Sequence, residues 1–260
     1  MSISQILDNI AQKGPAFEDG HVWLAGAGPG DVRYLTLDVA LALGQADIIV
    51  RDALVSDEVL ALGAQAEIVF AGKRGGKPSA VQDDITASLI DFAREGKKVL
   101  RLKGGDPFIF GRGGEEIEAL REAGIPFRVL PGMTSSFTAL AAAGIPATMR
   151  GISRAITLAT GHAAGTEDDL DWLALAKTKE PIVVYMGLKN IGTIAGLLMA
   201  GGRSGDTPVA VIMAATTAQE RIFIGSLKNI ADDAKRENFE APALIVIGDI
   251  VSMRHRLGIS

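Results

Sequence analysis

The chain is expected to be an α/β protein built as two α/β domains, and three observations carry that expectation. Short β-branched and apolar runs alternate with helix-period patterns along most of the 260 residues, the rhythm of parallel strands joined by helical crossovers. A hydrophobic content of 48% against 22% charged residues supplies apolar surface for two cores at the usual domain size of ~100–200 residues. In the second half, two strand-like runs follow each other too closely for a crossover helix, which calls for antiparallel pairing.

Taken in order, residues 1–20 mix Asp8, Lys13, Glu18 and Asp19 among small apolar side chains. They match neither a secretory nor a transit peptide and read as a short helical extension. An N-terminal domain over 21–145 then carries strands at 22–25, 47–50, 67–70, 99–102 and 127–130. Between the third and fourth, residues 81–95 place Ile85, Leu89, Phe92 and Ala93 at i, i+4, i+7 and i+8, with Gly96 as a stop, so an amphipathic helix covers the sheet. A small-residue helix over 135–143 runs into Gly144-Ile145-Pro146, where the boundary is expected. The C-terminal domain, 146–260, carries strands at 155–159, 182–186, 209–213, 221–224 and 244–247. The antiparallel pair falls between the third and fourth of these, so the second sheet is expected to be mixed.

Several classes of function are disfavoured. No apolar run reaches the roughly 18 residues of a membrane span. Cysteine is absent, which removes disulfides and thiolate chemistry and fits the cytoplasm. His21, His162 and His255 are far apart and show no metal-ligand spacing, so no metal is expected. A net charge of −5 gives no basic face for nucleic acid.

Two loops stand out. Gly26-Ala27-Gly28-Pro29-Gly30-Asp31 follows the first strand, and the stretch from Gly104 to Glu116, GGDPFIFGRGGEE, follows the fourth. Glycines at strand ends let a charged ligand rest on the backbone, although tight turning alone would also use them. A dinucleotide fingerprint fails because Asp31 stands where GxGxxG needs glycine and Pro29 lacks an amide. The run from Gly72 to Pro78 is one residue short of a P-loop, and Pro78 replaces the magnesium-binding hydroxyl.

Further segments appear in a recognisable order: Asp52-Ala53-Leu54-Val55, GKRGGK from Gly72, the RLKGGDPFIFGRGGEE run from Arg101, Pro131-Gly132-Met133-Thr134-Ser135, Gly144-Ile145-Pro146 and Tyr185-Met186-Gly187. With the first glycine loop, this series resembles the uroporphyrinogen-III C-methyltransferases of the tetrapyrrole methylase family, over roughly residues 20–253. The GGDPFIFGRGGEE form is its most specific part. The resemblance implies two α/β domains with the active site in the cleft between them, a homodimer, and methyl transfer from S-adenosylmethionine to carbons 2 and 7 of uroporphyrinogen III. The product would be precorrin-2, made through precorrin-1 for cobalamin or siroheme synthesis, with S-adenosylhomocysteine released. A methylase of a later precorrin, or a non-catalytic ligand sensor, is the alternative. Three positions depart from the usual pattern: Arg51 replaces a tyrosine or histidine, Met149 a histidine, and Ala215 a glycine of some members. The extra N-terminal module of bifunctional siroheme synthases has no counterpart, so their dehydrogenase and chelatase activities are not expected.

Carried onto matching positions, the family's cofactor contacts are Pro29, Gly104, Gly105, Asp106, Ile109, Thr134, Ser135, Met186, Ala215 and Ala243. Met186 would otherwise read as core packing, and Thr134 and Ser135 as a helix cap. The resemblance makes Asp52 the candidate base and Lys73 the candidate acid. Their plainer readings are a helix-capping aspartate and a solvated lysine. An octacarboxylate substrate needs local cations on an acidic protein. Arg74, Arg112 and Arg150 are the expected contacts, while Lys77 and Arg154 could equally be solvated surface.

Overall fold

A computed structural model of the chain describes residues 2–71, 82–166 and 169–259. The chain divides into two compact units, Met1–Ser135 and Ser136–Ser260.

The first unit opens with α1 (Ile3–Ala11), whose Ser2 cap accepts from the Gln5 amide in a reciprocal capping box. Its sheet contains β1 (Val22–Gly26), β2 (Ile48–Arg51), β3 (Glu67–Phe70), β4 (Val99–Lys103) and β5 (Phe127–Leu130). They lie in the order β3-β2-β4-β1-β5 and every pairing is parallel. The helices are α2 (Leu37–Leu43), α3 (Asp57–Leu60), α4 (Gln82–Arg94) and α5 (Gly113–Glu122). Strand alternation sends Trp23, Ala25, Ile49, Leu100 and Leu102 to one face, where Val39, Leu43, Val59 and Leu60 cover them. Val22, Leu24, Ile48, Val50 and Val99 face the other way and meet Leu89, Ala93 and Leu120 from α4 and α5. Parallel strands need both faces covered, hence the unbroken burial of β1 and β4.

The second unit holds α6 (Ser135–Ala142, its first residue the last of the first unit), β6 (Thr157–Thr160), α7 (Trp172–Thr178), β7 (Ile182–Tyr185), α8 (Ile191–Ala200), β8 (Pro208–Met213), β9 (Arg221–Ser226), α9 (Ile230–Arg236), β10 (Ala243–Ile247) and α10 (Met253–Arg256). The strand order is β6-β7-β10-β8-β9. β6 and β7 are parallel, and the other pairings are antiparallel, so the sheet is mixed, with β8 and β9 forming the close antiparallel pair. The chain divides at the start of α6 rather than at the expected 145/146, because Ala139, Leu140, Ala143 and Ile145 are buried with Val183, Ile212 and Val246.

Several strand ends shift by one or two residues from the sequence expectation, and three of the shifts have a visible cause. β4 continues through Lys103 although its apolar run stops at Leu102, because the Lys103 side chain is buried against a carboxylate. β7 ends at Tyr185 because Met186 adopts a left-handed backbone, φ 53°, that leaves the strand. β6 starts at Thr157, two residues late, since Arg154 and Ala155 spend their amides on the Glu180 carboxylate. Among the described residues no helix is long and apolar enough to cross a membrane.

Candidate functional site

In the first unit the site begins where β1, β4 and β5 end at the same edge of the sheet. Carboxyl edges of parallel sheets are where such folds bind ligands. The turns after these strands pack backbone against backbone. Gly28 and Gly105 exchange hydrogen bonds, Gly28 N to Gly105 O at 3.2 Å and Gly105 N to Gly28 O at 2.7 Å. A Cβ on Gly26 would lie 2.5 Å from both the Gly105 oxygen and the Gly132 Cα, so no side chain fits there. The separate glycine turns therefore converge within this unit.

Asp106 ties two of those turns together. Its Oδ1 accepts from Phe108 N at 2.9 Å and its Oδ2 from Gly132 N at 3.1 Å. Gly105, at φ 69°, leaves a lane free of side chain beside the start of α6: a Cβ there would sit 3.7 Å from Ser135 N and 3.9 Å from Thr134 Cα. A Cβ on Gly104 would lie 3.0 Å from Leu54 Cβ, Pro29 follows the first glycine pair, and Ile109 is half-buried beyond the turn. Backbone groups, one fixed carboxylate and little side-chain bulk suit a small ligand carrying charged and hydroxyl groups, so these residues fit S-adenosylmethionine.

Asp52 follows β2 at the same edge, its amide donating to Leu102 O at 3.1 Å. It does not cap α3. Ser56 does, accepting from Val59 N, and the Ser56 hydroxyl also donates to Gly30 O at 2.7 Å, tying the Asp52 segment to the first glycine loop. The Asp52 carboxylate instead accepts from Arg101 Nη2 at 2.5 Å and lies 3.9 Å from Lys103 Nζ. Arg101, Lys103 and Glu116 were not among the residues expected from the sequence. The available signal was two cations two residues apart, one inside a strand-like run and one just past its end, which places both on one face if the strand continues, with a glutamate 13 residues further on. Burial and the neighbouring Arg101 charge push the Lys103 ammonium below the usual lysine range, opposed by Glu116 and Asp52.

Arg112, in left-handed backbone at the start of α5, pairs with Glu115 and is half exposed. Arg150 is exposed in the second unit. Lys73, Arg74 and Lys77 lie outside the described residues. Asp31, which breaks the dinucleotide fingerprint, caps the turn Val32–Tyr34 and grips Arg33.

The second unit gathers its own candidates at one sheet edge. Met186 follows the carboxyl end of β7, Ala215 lies just past the end of β8, and Ala243 opens β10, which runs antiparallel to both. Met186 is 51% exposed, so core packing does not explain it. Ala214 and Thr216, flanking Ala215, have φ of 47° and 67°. Strained backbone of this kind clusters at ligand sites. At the adjoining strand end, Tyr185 Oη accepts from Ser136 N at 3.0 Å.

The profile of the tetrapyrrole (corrin/porphyrin) methylases matches residues 21–231. The chain belongs to this family. Among its relatives, a protein named uroporphyrinogen-III C-methyltransferase from Sinorhizobium sp. is 47% identical over 255 residues, 97% of this chain and 91% of its own length. A siroheme synthase from Actinobacillus succinogenes is 45% identical over 93% of this chain. This tetrapyrrole methylase spans about half the length of that synthase, 50%. Of solved structures, the uroporphyrin-III C-methyltransferase of Thermus thermophilus, complexed with S-adenosylhomocysteine, is 36% identical at a TM-score of 0.78, covering 90% of this chain and 99% of that one.

Proposed function

We propose that this tetrapyrrole methylase transfers methyl groups from S-adenosylmethionine to carbons 2 and 7 of uroporphyrinogen III, giving precorrin-2 by way of precorrin-1. One observation carries the reading: 47% identity along 97% of the chain to a protein named for that activity. The packed glycine turns support it, since they offer what the donor requires. With it go a homodimer in the cytoplasm, which light scattering and cell fractionation read directly.

When bound, S-adenosylmethionine supplies an electrophilic methyl group. The residues of the chain supply alignment, which accounts for much of the rate in an in-line displacement between two large molecules. In this reading Pro29, Gly104, Gly105, Asp106, Ile109, Thr134 and Ser135 of the first unit contact the donor, as do Met186, Ala215 and Ala243 of the second. Asp106, held by two amides, orients a hydroxyl or ammonium with its remaining lone pairs. Methylation of a pyrrole carbon leaves a cationic ring that must lose a proton, and Asp52 accepts it as general base. Lys73 serves as the acid, and Arg74, Arg112 and Arg150 meet substrate carboxylates.

Incubation of the purified chain with methyl-labelled S-adenosylmethionine and enzymatically made uroporphyrinogen III tests the proposal. Two labelled methyl groups per tetrapyrrole are expected. A tetrapyrrole without label overturns it.

A further inference from the structure

Behind Asp52 lies a group of charges that the proposed chemistry has not used. Arg101 and Lys103 are 1% and 2% exposed and Glu116 is 0% exposed. Three ionisable side chains in such a place are costly unless each is paired. Glu116 pairs two of them at once: its Oε1 accepts from Arg101 Nε at 3.0 Å, and both its oxygens accept from Lys103 Nζ at 3.1 Å. Arg101 is fixed further by donating from Nη1 to Val50 O at 3.3 Å. Both cations then reach the one member that meets solvent, Asp52, whose side chain is 33% exposed.

We infer that Lys103 and Glu116 are positioning residues for Asp52 in the reaction proposed above: Glu116 holds Arg101 and Lys103, and these two cations aim the Asp52 carboxylate. The inference rests on that reading of Asp52. The charge count supports it: among the described residues the two buried cations form their ion pairs with two carboxylates, and without Asp52 only the pairs with Glu116 remain. The geometry gives the direction of action. Glu116 is packed on α5 and cannot meet a substrate, whereas Asp52 stands at the sheet edge beside the glycine turns, so the buried pair acts through it. The lowered proton affinity of Lys103 adds that its charge depends on both carboxylates remaining in place.

A double-mutant cycle tests this. Lys103→Met and Glu116→Gln should each lower kcat about tenfold to a hundredfold, with the KM for S-adenosylmethionine nearly unchanged, and Lys103→Arg should restore most of the rate. Added to Asp52→Asn, either change should cost almost nothing more. An equal loss in both backgrounds means a merely structural role and overturns the inference while leaving the proposed function intact. Wild-type turnover by Asp52→Asn removes the base and this inference with it.

A second measurement needs neither turnover nor a core variant. In protein labelled with 15N-lysine, the Lys103 ammonium should exchange its protons slowly, and its signal should move on Asp52→Asn. A signal indifferent to that change overturns the inference whatever the kinetics show.

Discussion

Gly132 and Gly105 approach so closely that a Cβ on Gly132 would lie 2.2 Å from the Gly105 carbonyl oxygen. The obstacle is backbone, which cannot rotate away as a side chain can. Gly132→Ala should therefore cost about 1–3 kcal/mol of stability and abolish measurable S-adenosylhomocysteine binding. Denaturant melts and calorimetry read the two effects. An unchanged affinity would mean that the packed turns do not shape the ligand site.

Asp106 joins the turns by accepting two amide hydrogen bonds, one on each oxygen. Asp106→Asn keeps the shape but leaves only one acceptor oxygen, so one amide loses its partner. The expected loss is about 1–3 kcal/mol, in stability and donor affinity together. Calorimetric titration with S-adenosylhomocysteine, alongside thermal melts, checks it.

The Asp31 carboxyl is held below its ordinary value of 3.8, first by the side-chain hydrogen bond from Arg33 and then by the Arg33 amide. A carboxylate favoured in the folded state contributes stability above its unfolded pKa and loses it as pH falls through the folded one. Asp31→Asn should thus be less stable than wild type at pH 7, and the gap should narrow once pH drops below 3.8. Urea melts of both proteins at several pH values measure the gap. A gap that stays constant down to the most acidic point contradicts the pairing.

Met186 is exposed and holds φ 53°. Left-handed backbone costs most side chains about 1–2 kcal/mol, and a β-branched residue suffers more. The expected order of stability is Met186→Gly at or above wild type, with Met186→Val below both. Donor affinity should run otherwise, with Met186→Gly binding more weakly than wild type for want of apolar contact. Parallel melts and calorimetry separate strain from binding.

Much of the fold was legible because parallel strands covered on both faces write themselves as apolar runs. The limits of β3 and β5, the partly exposed edge strands of that sheet, match the expected ranges as well, and the spacing between β8 and β9 was too short for anything but an antiparallel pair. The candidate site was legible differently. Gly26, Gly105 and Gly132 could be picked out as turn residues, but their mutual contact depends on strand order, which puts β1 between β4 and β5. Hydropathy concealed the buried charges, since Arg101 and Lys103 look like surface residues until Glu116, 13 positions beyond Lys103, is seen to meet them. Met186 misled for a local reason: an apolar residue after an apolar strand extends the pattern, whereas its backbone turns away.

The union of Lys103 with Glu116 also constrains how this unit assembles. A central strand carrying two cations cannot enter an apolar interior alone, and the helix bearing their carboxylate would bury an unpaired charge by docking beforehand. β4 and α5 should then arrive and depart as one cooperative block. Slow amide exchange would be shared by both elements, and any partial opening that releases the helix would expose the strand as well.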